Sequence, residues 1–335
     1  MNIYEKYFDG YDIYDCVVGG GNVALLGREE NKPLSEIEKI KIVIAHNDKP
    51  LDENAGYAIL SNIQDVKGCL SVVPDPAYIF VSDNATVFKS GYEGDIEVQK
   101  YEQDIQEEGL LITDVIAIDG KAYALGSSRE VYRRDDVDEW VNIAQELSDT
   151  LALELSQKWD SNKSEEERLS AVISTASWMR GIDGFNENDI YIVGKNGECW
   201  HYNGNTWRRI DLPTNAMLTT VCCADDGYVY IGGIGEILLR GRDDKWEIVQ
   251  NKHNENYINK IVDFQGKIYL STFYNLFELY NNEIKEVDFG EHLVSNFGYL
   301  GVNRQKSKLV TGGSMAAYAY DGSEWIELIN IFGGV

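Results

Sequence analysis

Short apolar runs, each ended by glycine or another turn residue, recur along the C-terminal half of the chain. Residues 188–210 read NDIYIVGKNGECWHYNGNTWRRI: a β-rich run, a glycine-centred turn, a second aromatic run, another turn and a tryptophan. The same order recurs in residues 227–249 and 307–329. Apolar runs of this length, bounded by turn residues, predict β-strands. The repeated unit is therefore a set of short strands joined by tight turns.

The copies keep a constant internal spacing. In three of them the leading run starts 16 positions before the tryptophan, in the pairs Tyr191 and Trp207, Tyr230 and Trp246, and Leu309 and Trp325. A degenerate copy starts at Tyr269, so successive runs advance by 39, 39 and 40 residues. Repeats of about 40 residues with four short strands each are typical of β-propellers. Weaker copies start near positions 23, 78 and 123, which predicts an all-β, seven-bladed propeller, with six blades as the alternative.

The turn before the tryptophan has a recognisable sequence, YNGNTW at 202–207 and YDGSEW at 320–325. These units resemble bacterial kelch-like and WD-like propeller repeats, closely over residues 180–330 and loosely over residues 10–140. The resemblance implies a fold and no activity, because propellers serve as enzymes, lectins and scaffolds alike. YDGSEW is also similar to a shortened Asp-box of sialidase-type propellers, without that motif's preceding Ser-x-Asp frame. No catalytic residue follows from it.

One interval in the series is too long for a blade. The runs at Tyr123 and Tyr191 lie 68 residues apart, about 28 more than a blade needs. Apolar side chains recur there every four residues, which predicts a helix; they are Ile143, Leu147, Leu151, Leu155 and Trp159. A capping box from Ser164 to Glu167 predicts a second, short helix. We expect residues 1–335 to form a single propeller domain with a helical insertion at 141–176, between blades three and four, which either binds a ligand or covers the rim.

The first blade is also unusually long. Ile40, Ile42 and Ile44 alternate with lysines, a pattern that predicts a half-buried strand. Residues 28–36 and 46–56 are then long polar loops on either side of it.

Charge narrows the range of partners. The chain has 56 acidic residues against 30 lysines and arginines, a net charge of −26. Such a surface repels nucleic acids and anionic membranes and attracts basic proteins. The N-terminus carries acids and tyrosines in place of the basic start of a secretory signal, and no run of about 18 apolar residues occurs. These features predict a cytoplasmic protein that contacts neither nucleic acid nor membrane directly.

The sequence shows no pattern typical of catalysis. The five cysteines are odd in number and form no C-x-x-C pair, so we expect reduced thiols. The four histidines contain no pair at metal-binding spacing, and neither a nucleophile elbow nor a phosphate loop is present. We therefore predict no catalytic residue, no cofactor and no metal. Acidic residues are too numerous for a carboxylate pair to indicate glycoside hydrolysis.

Three functions remain compatible with these features. The first is an immunity protein that neutralises a basic toxin such as a nuclease, because an acidic surface steers association with a cationic one. The alternatives are an enzyme acting on a glycan at the propeller axis, as a lyase or glycosidase, and a scaffold subunit of a larger complex. In each case the loops at the start of a blade and those between its second and third strands share one face. The residues predicted to bind the partner there are Glu107, Glu108, Arg129, Trp178, Arg180, Glu255, Tyr257, Phe273, Tyr274 and Phe297.

Overall fold

Seven antiparallel sheets form the molecule. The computed structural model describes residues 3–52, 55–91, 104–105, 109–158, 164–168, 170, 176–235, 237–249, 257–281, 283–290 and 296–331. The first three sheets contain β1 (Tyr11–Val18), β2 (Asn22–Glu29), β3 (Lys39–His46) and β4 (Gly56–Ser61); β5 (Val66–Ser71), β6 (Ala77–Ser82) and β7 (Val87–Gly91); and β8 (Ile112–Ile118), β9 (Lys121–Gly126), β10 (Val131–Asp136) and β11 (Glu139–Asn142).

The remaining four sheets have four strands each. They contain β12 (Met179–Asn186), β13 (Asp189–Gly194), β14 (Cys199–Tyr202) and β15 (Trp207–Arg209); β16 (Leu218–Cys223), β17 (Val229–Gly233), β18 (Leu238–Arg242) and β19 (Lys245–Ile248); β20 (Lys260–Phe264), β21 (Lys267–Ser271), β22 (Leu276–Tyr280) and β23 (Glu283–Glu286); and β24 (Tyr299–Val302), β25 (Leu309–Gly313), β26 (Ala316–Tyr320) and β27 (Trp325–Asn330). Two 3-10 turns occupy Leu34–Glu36 and Lys195–Gly197.

The sheets are the blades of a seven-bladed propeller, as predicted. The first strands of the blades contact one another in chain order around an axis, and β24 contacts β1 to complete the ring. The seven predicted run starts fall in the second strands, β2, β6, β9, β13, β17, β21 and β25. Tight turns join first to second strands; Asp119 and Gly120, for example, both have positive φ, 51° and 82°, as a two-residue hairpin requires.

The ring closes by packing rather than by exchange of a strand. Within the described residues each sheet contains consecutive strands only. Helix α1 (Ile3–Phe8) precedes the first blade, and its Tyr4, Tyr7 and Phe8 are buried in one cluster with side chains of blades one and seven. Backbone bonds also cross this junction, from the N–H of Ile13 to the carbonyl of Ser314 at 2.9 Å. The N-terminal segment therefore seals the first blade against the last.

The strand predicted at Ile40, Ile42 and Ile44 is present as β3, but its prediction as half-buried was wrong. All residues from 40 to 45 are buried, including Lys41. The Lys41 ammonium lies 4.4 Å from the ring centre of Tyr11 and 5.2 Å from that of Tyr57, so aromatic rings replace water around the charge. The alternation of lysines in the sequence does not predict this burial, because the aromatic rings that cover Lys41 come from other strands.

The helical insertion lies between blades three and four, as predicted. Helix α2 (Gln145–Lys158) buries Leu147 and Leu151. It is attached to blade four by Trp207, whose Nε1 donates to the carbonyl of Ile143 at 2.8 Å. The capping box is confirmed, since Ser164 Oγ accepts the N–H of Glu167 at 3.2 Å and the Glu167 carboxylate accepts the N–H of Ser164 at 2.9 Å. Trp159 lies outside the described residues.

Neither α1 nor α2 combines the length and the apolar content needed to span a bilayer, and the same holds for every other helical residue in the described ranges.

Candidate functional site: the connector face and the axial funnel

One face of the propeller carries two interleaved sets of loops. We call it the connector face: it holds the connections between blades and the loops between the second and third strands of each blade. Backbone hydrogen bonds join the two sets. The N–H of Lys195 donates to Trp178 at 3.1 Å, that of Ile234 to Met217 at 2.9 Å, and that of Phe297 to Phe273 at 3.0 Å. These bonds link the two sets of loops in blades four, five and six.

A cavity of about 610 Å³, the axial funnel, opens on the connector face. Tyr257, Phe273 and Arg180 are among the side chains in its wall. Ligand sites in proteins commonly have this volume and this mixture of aromatic and charged side chains. The funnel therefore has the size and lining of a ligand site.

Four charged side chains form a girdle at the base of the funnel. Asp15, Lys67, Asp114 and Lys260 occupy corresponding positions in the first strands of blades one, two, three and six. Lys67 lies 3.5 Å from Asp15, and Lys260 lies 3.4 Å from Asp114. Blades three and six are not neighbours in the ring, so the second pair spans the axis.

A second cavity, of about 390 Å³, lies below the girdle and shares its four residues. Asp183 and Asp263 are in its wall. Both Asp183 oxygens accept backbone N–H groups, from Cys223 and Gly184, each at 2.8 Å. Burial nevertheless raises the pKa of Asp183 to about 6, because the carboxylate has lost its hydration. The charged groups near the axis therefore have hydrogen-bond or ion-pair partners within the propeller.

Five of the predicted binding residues lie exposed on the connector face. Trp178, Tyr257, Phe273 and Tyr274 are 40%, 39%, 55% and 66% exposed. Arg180 is exposed in the wall of the funnel. Aromatic side chains and arginine are the residue types that contribute most to protein interfaces. Arg180, Tyr257 and Phe273 line the funnel, whereas Trp178 borders the same shallow depression as Arg180 and Tyr274 packs on Phe273.

Two predicted residues are buried instead. Arg129 is 4% exposed, and its Nε lies 2.5 Å from Glu198 while its Nη2 lies 3.2 Å from Glu154 of α2. Phe297 is 5% exposed and packs on Phe289, with 5.1 Å between ring centres. Arg129 fastens the insertion to blade four, and Phe297 fills the core between blades six and seven. Neither side chain can reach a partner in this conformation.

Glu107, Glu108 and Glu255 lie outside the described residues, so the structure does not place them.

Sequence reasoning missed Ile234. It is 42% exposed in the loop between β17 and β18 and forms a β-bridge with Tyr257 of the next blade. An apolar residue between two glycines, in GGIGE at 232–236, was the available signal. With Trp178, Tyr257, Phe273 and Tyr274 it forms what we call the apolar crescent, which runs from blade four to blade six beside the funnel.

Four of the five cysteines, Cys16, Cys69, Cys222 and Cys223, line the second cavity. The five cysteines are free thiols, and all except Cys223 are buried. Burial raises the pKa of Cys69 to about 12, which keeps the thiol protonated. Among the residues that the structure describes, no group of three or more potential ligands is arranged to hold a metal ion.

No family model matches the chain. Immune protein Tsi7 of Pseudomonas aeruginosa is 34% identical to it over 214 residues, which are 64% of this chain and 63% of that protein. The chain thus matches less than two thirds of the length of this relative.

Solved propellers superpose on the chain at low sequence identity. The WD40 β-propeller domain of Doa1 is 10% identical with a TM-score of 0.59, over 91% of this chain and 90% of that one. The β-propeller domain of the Trilobed protease from Pyrococcus furiosus, described as having an open velcro topology, is 14% identical with a TM-score of 0.56, over 97% and 99%. At these identities the similarity concerns the fold alone. The chain is a seven-bladed β-propeller whose structural neighbours include WD40 and other propellers.

Proposed function

We propose that this chain is an immunity protein, which binds a toxin and blocks its activity. The observation that carries the proposal is the 34% identity with Immune protein Tsi7. A rigid ring whose loops converge on one exposed aromatic surface suits tight protein binding, because little conformational entropy is lost on docking.

The apolar crescent is the proposed contact surface. Trp178, Tyr257, Phe273 and Tyr274 are large exposed side chains, and loop-to-loop backbone bonds hold the main chain at Trp178 and Phe273. Aromatic side chains of this kind contribute most to an interface when a partner buries them. We extend the proposal to Glu107, Glu108 and Glu255, which lie in sequence between consecutive blades.

The proposed toxin is basic, and a nuclease is the most specific candidate. The net charge of −26 favours a cationic partner and repels nucleic acid. A nuclease domain needs a positive surface for its substrate, and an acidic inhibitor that covers this surface removes the activity. The proposal places both proteins in the cytoplasm, where the nucleic acid is.

The test is co-expression with the product of the gene next to this chain's gene, which the proposal takes as the toxin. Survival of the host cells with the pair, and death with the toxin alone, is the expected result. The purified proteins should form a stoichiometric complex whose association rate falls between about 50 and 300 mM salt, since steering charges are screened.

Two results would count against the proposal. Cells that die despite a full level of this protein would show that it does not neutralise the toxin. Turnover of a glycan panel, abolished by Asp114→Asn, would instead identify an enzyme that acts at the axis.

A further inference from the structure

The wall of the axial funnel contains four equivalent side chains placed by β-bulges. The pairing of first and second strands skips one residue early in the first strand of blades one, three, four and five, and blade four has a further skip at Phe185, near the other end of the strand. A bulge turns the extra side chain out of the regular alternation and re-aims it. The four residues skipped early in the strands, Tyr14, Thr113, Arg180 and Thr219, all line the funnel.

Three of these side chains donate hydrogen bonds to backbone carbonyls of the propeller. Tyr14 Oη donates to the carbonyl of Val66 at 2.9 Å. Thr113 Oγ1 donates to the carbonyl of Leu125 at 3.3 Å, and Thr219 Oγ1 to that of Ile258 at 2.5 Å. Their role is to join strands or neighbouring blades.

Arg180 is the exception. Its guanidinium has no hydrogen bond or ion pair with any residue in the described ranges, and its side chain is exposed in the funnel wall. It also borders a shallow depression lined by Trp178, Lys195 and Met217, so it stands between the funnel and the Trp178 end of the apolar crescent.

The cations in the funnel lining differ in their partners. Its described lining contains three carboxylates, Asp12, Asp15 and Asp114, and four cations, Arg28, Lys67, Arg180 and Lys260. Lys67 and Lys260 are paired within the girdle, and Arg28 lies over the ring of Tyr14 at 5.4 Å. The remaining cation is Arg180, in a chain whose net charge is −26.

We propose that the axial funnel receives a projecting segment of the protein partner, and that Arg180 binds a carboxylate carried by this segment. The inference rests on the proposed function. Arginine pairs with carboxylates through two parallel hydrogen bonds, a geometry that fixes orientation as well as charge. Tyr257 and Phe273, in the same wall, provide apolar contact for the rest of the segment. The partner is thus basic overall but presents an acidic side chain at this point.

Binding of the adjacent-gene toxin domain to Arg180→Gln tests the proposal. We expect at least a tenfold weaker Kd, arising from faster dissociation, and partial recovery with Arg180→Lys. Arg209→Gln is the matched control, because Arg209 is exposed in β15 of the same blade but far from the funnel. It should bind like the wild type, and all variants should keep the wild-type unfolding midpoint.

A double-mutant cycle then identifies the group that Arg180 binds. Each surface Asp and Glu of the toxin is changed to Asn or Gln and combined with Arg180→Gln. One carboxylate should lose its effect on affinity when Arg180 is already absent. Unchanged affinity of Arg180→Gln, or weakening without coupling to any carboxylate, overturns the inference. If the wild-type protein neither binds nor protects, the proposed function itself has failed, which is a distinct result.

Discussion

Lys260 in blade six and Asp114 in blade three bond across the propeller axis, with 3.4 Å between the lysine Nζ and each carboxylate oxygen. The Asp114 carboxylate also accepts backbone N–H groups, from Val115 at 3.0 Å and from Ile182 of the next blade at 3.3 Å. The pair therefore connects blades that are not neighbours, and it closes the base of the funnel with charges that neutralise each other.

Removing the lysine should destabilise the ring. In Lys260→Met, Asp114 keeps its buried charge without the cation, so we expect the free energy of unfolding to fall by about 1–3 kcal/mol. Urea unfolding followed by tryptophan fluorescence measures the change. Lys285→Met is the control, since the Lys285–Glu283 pair is exposed, and its loss should have no measurable effect. Equal midpoints for both variants would show that the axial pair does not contribute to stability.

Stability should depend on pH through Asp183. Burial raises the pKa of this carboxyl from 3.8 to about 6, so between these values the folded protein binds more protons there than the unfolded chain. The contribution of Asp183 to stability therefore falls as the pH rises from about 4 to 6 and is constant above. Relative to that of Asp183→Asn, the free energy of unfolding of the wild type should fall by about 1–2 kcal/mol as the pH rises over this interval.

Urea titrations at several pH values measure this difference. Asp211→Asn, at an exposed position after blade four, is the control, and its free energy of unfolding should change with pH in the same way as that of the wild type. A pH-independent difference between wild type and Asp183→Asn would contradict the prediction.

The attachment of the helical insertion should depend on Trp207. The equivalent tryptophan of the next blade, Trp246, makes no such contact. Trp207 Nε1 donates to Ile143, at the start of the insertion, whereas Trp246 Nε1 donates to Asp243 within its own hairpin. We expect Trp207→Phe to lower the free energy of unfolding by about 1–2 kcal/mol and to speed amide hydrogen exchange in α2. Trp246→Phe should leave exchange in α2 unchanged. Similar exchange in the two variants would mean that α2 is held by other contacts.

The apolar crescent should lose affinity for the toxin when its aromatic side chains are truncated. Phe273→Ala and Tyr274→Ala should each weaken binding at least tenfold, because both side chains are exposed in the free protein and available for burial. Tyr280→Ala is the matched control. Tyr280 belongs to the same blade and is 52% exposed, but it ends β22 at the opposite face. A larger effect at Tyr280 than at Phe273 would place the interface on the other face.

Local sequence determined the blades. The runs that start at Tyr191, Tyr230 and Leu309 are second strands in the structure, because the alternation of side chains and the turn residues between runs are properties of neighbours in the chain. The capping box at Ser164 was predictable for the same reason. The exposed aromatic residues of the connector face followed from their positions in loops.

Tertiary structure decided which charged and aromatic side chains are covered. Arg129, predicted on the surface, is buried because α2 and blade four supply Glu154 and Glu198, which are distant in sequence. Lys41 is buried by rings from other strands, and Lys260 meets Asp114 only because the ring brings residues 146 positions apart to one axis. A repeat pattern specifies the shape of each blade, whereas burial and charge pairing arise from contacts between blades, which no local pattern encodes.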